Sequence, residues 1–274
     1  MRTNRIVTMV AAVAALTWAL PAAAQIHKRP GAREASVRPA STGTDQTQAA
    51  ASDTAADEAI AQLARWRHGE ARKALESAGT GGALETAWGL LLAEEGQVDD
   101  GIARLRAAVA ARPADPAPAY WLGETLQQFR RDNAGATTAW REAAERAGAI
   151  LEHAPKDARA SFYAGAAGVR LKTFDAARNA LATAAAEGWD RAMTAYQEGL
   201  SWAFEQKWSD ADARLTAALE ADPSYAHAWY YRALCREKLK RTSEMLSDLQ
   251  RFLQLAPDAP EAATAQSILH AAGY

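Results

Sequence analysis

With a single cysteine, Cys235, the chain cannot form an intramolecular disulfide, so its stability must come from packing. The thiol falls inside an apolar helical stretch and is expected to be buried. Charge of one sign is also missing: 31 Lys and Arg face 33 Asp and Glu, a formal net charge of -2. That balance offers nucleic acid or an anionic membrane no basic footprint. The five histidines, His27, His68, His153, His227 and His270, are scattered. None pairs at the i, i+4 spacing of a zinc helix and none neighbours the cysteine, so no metal site is predicted. There is no alternating β-branched run, no Gly-x-Ser-x-Gly turn and no phosphate-cradling glycine loop. Glu94-Glu95 and Asp99-Asp100 flank a turn and read as solvated capping groups, not as a general acid and base. The expectation is an all-α, non-catalytic protein with no cofactor.

Long apolar runs are scarce as well. The one from Ile6 to Leu20 follows Arg2 and Arg5 and precedes Pro21, Ala22, Ala23, Ala24 and Gln25. It is shorter than the roughly 20 residues that span hydrocarbon. The layout is that of a secretory signal peptide over 1–24, with Ala22 and Ala24 flanking the cut. The arginines are not adjacent, so a twin-arginine signal is not supported, and no cysteine follows for lipidation. Cleavage would remove Arg2 and Arg5 and take the formal charge from -2 to -4. The mature protein is expected to be exported, in the periplasm or outside the cell, without membrane insertion. Residues 25–53 are rich in Ala, Ser, Thr and Gln and read as a disordered linker. Their Lys28, Arg29, Arg33 and Arg38 form a small basic cluster, either a solvated tether or a contact for an acidic surface.

What is present, over the ordered part 54–274, is a period. Gly165, Ala177, Leu181 and Ala184 return 34 residues later as Gly199, Ala211, Leu215 and Ala218, and more loosely as Ala233, Met245, Leu249 and Phe252. Such a period marks a solenoid. Small and apolar residues three and four apart describe amphipathic helices whose axes approach closely. Glu95-Gly96-Gln97 interrupts one unit between its helices, and Pro113, Asp115-Pro116, Pro223 and Pro257 close or open others. Asp157, Ser224 and Asp258 are placed to cap helix starts.

In this register the chain resembles the tetratricopeptide-repeat family. The family unit is two antiparallel helices of about 34 residues, with a small residue at position 8, Ala at 20, a large apolar residue at 24, Ala at 27 and Pro at 32. Unit 192–225 carries Gly199, Ala211, Leu215, Ala218 and Pro223 there, with Trp208 at the aromatic position 17. Unit 158–191 has Phe174 at 17 and Trp189 in place of the proline, and unit 226–259 opens with Trp229 and ends with Pro257. Unit 82–115 has Trp88, Gly89, Leu105, Ala108 and Pro113, but Gly101 replaces the alanine at 20. Unit 116–157 carries Tyr120, Trp121, Leu122 and Gly123, then Ala136, Trp140 and Ala143. Its closing Pro155 comes about seven residues late, or two helical turns, so its second helix should protrude. Unit 52–81, with Ala71, Leu75 and Ala78, is degenerate, and 260–274 reads as a capping helix. The predicted fold is an α-solenoid of about six helix pairs plus a cap.

The resemblance implies a concave groove lined by first helices. It places Tyr120, Phe162, Tyr196 and Tyr230 at one groove-facing position, an aromatic stripe flanked by Glu124, Gln127, Gln128, Arg159, Arg170, Leu200, Phe204, Glu237 and Lys238. Tyrosine at that position is also the ordinary packing residue between repeats, so both readings stand. Family members that clamp an acidic carboxy-terminal tail use Lys and Asn where this chain has aromatics and Leu90, Glu124, Ala166, Leu200 or Leu234. An extended or helical segment with apolar anchors suits the mixed groove better. The favoured function is a protein-interaction scaffold of the cell envelope, in assembly of an outer-membrane, pilus, secretion or wall-building complex. The alternative is a small-molecule or glycan binder. Trp88, Trp121, Trp140, Trp189, Trp202, Trp208 and Trp229 fall at or beside packing positions, which favours the scaffold.

Overall fold

A computed structural model describes residues 43–274, and the expected signal peptide and the basic cluster lie outside them. The described residues form thirteen α-helices and no strand. The six pairs are α1 (Gly43–Ala64) with α2 (His68–Ala78), α3 (Leu84–Glu94) with α4 (Val98–Ala111), α5 (Pro116–Thr125) with α6 (Asn133–His153), α7 (Ala158–Arg170) with α8 (Phe174–Ala186), α9 (Arg191–Phe204) with α10 (Trp208–Ala221), and α11 (Ala226–Lys238) with α12 (Thr242–Leu255). The cap is α13 (Ala262–Ala272). The 34-residue period is thus one helix pair long.

The small residues do what the spacing predicts. Leu181 faces Gly165 and Leu215 faces Gly199, in each case with the leucine Cγ 2.6 Å from where a Cβ would stand on the glycine. Both leucines are fully buried, each contributing roughly 1.5–3 kcal/mol relative to exposure. In unit 82–115 the departure at Gly101 has a physical reason. A Cβ there would sit 2.6 Å from the Gly89 carbonyl and 2.8 Å from Ala93, so α3 and α4 touch backbone to backbone and only glycine fits. Cys235 is buried, and burial pushes its thiol up to about 12.

Each first helix ends in a left-handed residue, and the next amide closes the turn onto a carbonyl five residues back, as Thr173 does to Gly168 at 2.9 Å and Arg241 to Arg236 at 2.9 Å. Unit 116–157 differs. Gly123 and Ala136 stand thirteen apart where the other units have twelve, and the extra residue is absorbed by a π-helical turn over Leu126–Arg130. There Asp132 bonds six residues back, to Leu126. Helix α6 spans 21 residues against 14 for α10, so its predicted extension is present, and beyond Ala147 none of its residues is buried.

Two expectations need correction. The linker does not reach residue 53, because α1 is already helical from Gly43. A shortage of large apolar residues argues against packing but not against helix, and alanine and glutamine are strong helix formers. Of the three predicted caps only Asp157 acts as one, accepting from the Ala160 amide at 2.7 Å. Ser224 donates to Asp222, and Asp258 accepts from Trp66 instead. The other side-chain caps are Asp115, Asp132 and Asp190.

Candidate functional site

The aromatic positions of the inner face are packed shut, whereas Glu124, Gln127, Arg170 and Glu237 on the same face are half-buried. Tyr120, Phe162 and Leu200 are 0% exposed, Tyr230 1% and Tyr196 8%. The predicted stripe is therefore a spine of packed rings and not a surface. Phe162 stacks on Trp189 at 5.3 Å, while Tyr196 tilts against Tyr225 at 4.8 Å and Tyr230 against Phe252 at 5.1 Å. The Tyr120 hydroxyl accepts from the Gln197 amide at 2.9 Å, joining units 116–157 and 192–225. Glu124 and Arg170 pair through both oxygens at 2.8 and 2.5 Å, and Arg170 lies over Phe204. Gln127 is half-buried beside them, and Glu237 pairs with its neighbour Lys238 at 2.8 Å. The nine candidate residues thus line the interior, but they are not presented together to solvent.

Closure comes from the first unit. The turn Arg65-Trp66-Arg67-His68 between α1 and α2 docks on the loops that precede α9, α11 and α13, more than a hundred residues away. Arg65, itself buried, bonds Asp190 at 2.5 Å and Asp222 at 2.6 Å and lies over the Tyr225 ring. Arg67 adds Asp222 at 3.0 Å and the Ser224 hydroxyl. The Trp66 indole donates to Asp258 at 2.7 Å, and its ring lies edge-on to His227 at 5.4 Å. Farther along α1, Arg159 bridges Asp57 and Asp115, both at 2.7 Å, and Arg112 bonds Asp53 at 2.6 Å.

The seam is titratable. Burial alone would raise the Asp222 carboxyl, but Ser224 and Arg65 together hold it below the usual range. Burial disfavours a charged His68, yet Glu94, 3.0 Å away, outweighs it and raises the imidazole. His227 is raised by Glu261, 3.5 Å away, against burial.

The sequence reading missed Arg65, Trp66, Arg67, Asp190, Asp222 and Asp258. One signal was available. The left-handed turn residue is Gly96 or the exposed polar Arg131, Lys172, Gln206 or Lys240 in the other units, but Trp66, at φ +63°, in the first. A bulky residue there is an outlier unless something outside its own unit holds it. Of the eight tryptophans beyond the predicted leader, Trp66, Trp121 and Trp140 are buried and the rest half-buried against the core.

No helix of the described residues is long and apolar enough to cross a membrane, and no group of three or more His, Cys, Asp or Glu among them could hold a metal. No family model and no curated protein matches the chain. Solved structures do. TTC0263, a tetratricopeptide-repeat protein of the thermophile Thermus thermophilus, superposes with a TM-score of 0.53 at 20% identity, over 68% of this chain and 97% of its own. MamA of Desulfovibrio magneticus RS-1 aligns at 16% identity over 64% of this chain and 94% of its own, with a TM-score of 0.40. YrrB, a tetratricopeptide-repeat protein with an unusual peptide-binding site, aligns at 17% identity over 67% of this chain and 91% of its own, with a TM-score of 0.38. With six consecutive helix pairs, a cap and an arrangement shared along nearly all of TTC0263, the chain has the tetratricopeptide-repeat fold.

Proposed function

We propose that this chain is a non-catalytic protein-interaction scaffold of the cell envelope, exported by its amino-terminal leader, whose inner first-helix face receives a segment of a partner protein. One observation carries the reading: the interior is more polar than a core needs. Gln197 Oε1 and Thr125 Oγ1 are buried without a hydrogen-bond partner, beside the Glu124–Arg170 pair. Buried polar atoms left unmet cost about 1–3 kcal/mol each, which a partner's backbone would recover once the inner face opens. The glycan reading is weaker, because cations already cover several half-buried indoles. Arg104 lies over Trp88, Arg232 over Trp229, and both Arg178 and Lys207 over Trp202.

A photo-crosslinking amino acid at Gln127 should capture an envelope protein in intact cells, and one at exposed Gln250 on α12 should not. Equal capture, or none, would sink the assignment. Export has its own check: a reporter fused after Pro30 should leave the cytoplasm, and retention there would overturn it.

A further inference from the structure

The first turn sits on the last units as a ligand would. Trp66 belongs to a hydrophobic cluster whose other buried members all come from Ala226 to Leu269, and it reaches them from outside that part of the chain. Around the ring stand four acceptors: Asp190 and Asp222 for Arg65, Asp222 and Ser224 for Arg67, and Asp258 for the indole. Tyr225 lies beneath the Arg65 guanidinium. The result is an apolar socket with an acidic rim, assembled from the loops before α9 and α11, the starts of α11 and α13, and α12.

Nothing in unit 52–81 itself requires tryptophan at residue 66. The left-handed backbone there disfavours a bulky side chain, and the glycine or exposed polar residues of the other five units make the same turn without a plug. The rim is as specific as the plug. A carboxylate row matches a guanidinium on each side of an aromatic ring, since bidentate and charge-assisted bonds to arginine are directional where a lysine would be a point charge.

We propose that this acid-rimmed socket is a peptide-recognition site, that the Arg65-Trp66-Arg67 turn is its internal competitor, and that its partner is a protein segment bearing an aromatic residue between two arginines. The proposal rests on the scaffold reading above and adds the chemistry of the bound segment and the contact that regulates it. Binding displaces the turn, releases α1 from its seam and opens the inner face. The occupied socket lowers apparent affinity by the fraction of molecules in which the turn is away, so weakening the turn strengthens binding.

The test uses the full chain and a fluorescein-labelled peptide copying residues 63–69, Leu-Ala-Arg-Trp-Arg-His-Gly, followed by anisotropy. Trp66→Ala should bind it about tenfold or more tightly than the unaltered protein. Asp222→Asn with Asp258→Asn in that background should abolish binding, as should replacing the peptide's tryptophan by alanine. A Trp66→Ala protein with native circular dichroism that does not bind overturns the proposal. Should that variant not fold, Arg65→Gln with Arg67→Gln loosens the turn while keeping the indole, and absence of binding there overturns it equally. A dimer by size exclusion in which the turns are exchanged between copies also overturns it, since the socket's occupant would then be a second copy of this chain. If Gln127 still captures an envelope protein while the peptide fails to bind, the socket falls and the scaffold reading stands. If both fail, both fall.

Discussion

Trp66 hydrogen-bonds Asp258 at 2.7 Å across 192 residues of sequence, and the bond closes a repeat stack that would otherwise be open. Two effects oppose each other at Trp66. Its left-handed backbone costs about 1–2 kcal/mol, whereas truncating a buried tryptophan costs about 3–5 kcal/mol. Packing wins, so Trp66→Gly, which relieves the backbone and removes the plug, should destabilise the protein by about 1–4 kcal/mol in urea unfolding. A variant as stable as the unaltered protein would show that the ring contributes nothing to closure.

Asp248 poses a different problem. It is 1% exposed and receives Arg232 at 2.9 and 3.0 Å and Arg236 at 2.8 Å. Removing one member of a buried ion pair leaves the other charge uncompensated, at a cost of about 3–5 kcal/mol. Asp248→Ala is expected to lose that much, and a matching loss in Arg232→Ala with little further loss in the double variant would identify the shared network.

Glycines at two helical positions should respond with opposite signs. Gly101→Ala drives a methyl into the Gly89 carbonyl and Ala93, where backbone cannot yield, and should destabilise by about 1–3 kcal/mol. Gly148, inside α6, has nothing within 4 Å of where a Cβ would stand, so Gly148→Ala should stabilise by about 0.5–1 kcal/mol. Thermal unfolding of both variants checks the pair.

Stability should also depend on pH in a definite direction. His68 and His227 bind protons more tightly folded than unfolded, so their contribution is complete below the ordinary value near 6.5 and is lost as pH rises through the folded values. Glu94, raised by burial though His68 opposes it, acts in the same direction. Asp222 and Asp115, held low by their partners against burial, contribute above the ordinary value near 3.8 and lose that contribution on acidification. The melting temperature should therefore fall as pH rises above the ordinary imidazole value of about 6.5, and His68→Gln with His227→Gln should flatten that limb. An unchanged slope would remove the histidines from the account.

The parts of the fold that the sequence displayed are those governed by local spacing. Gly165 against Leu181 and Gly199 against Leu215 are contacts between neighbouring helices, so they leave a trace at a fixed period. The extension of α6 was equally visible, in the late Pro155. The single-residue insertion between Gly123 and Ala136 was visible only by counting, and its π-helical form was not. Closure left no periodic trace at all. Arg65 and Asp222 meet 157 residues apart, and no spacing rule relates a turn in a degenerate unit to loops near the other end. The aromatic stripe kept two readings for the same reason: an open stack would present Tyr120 and Tyr196, whereas the wound stack packs them inside.

Closure also changes how the chain should fold. In an open array each unit contacts only its neighbours, so stability is a sum of local terms and units can fray from either end. Here the first unit depends on the last three, which raises the mean sequence separation of the stabilising contacts and slows the final folding step. Deleting the cap or the first helix pair should therefore weaken the opposite end of the molecule, and unfolding should be all-or-none where a linear array would melt in stages.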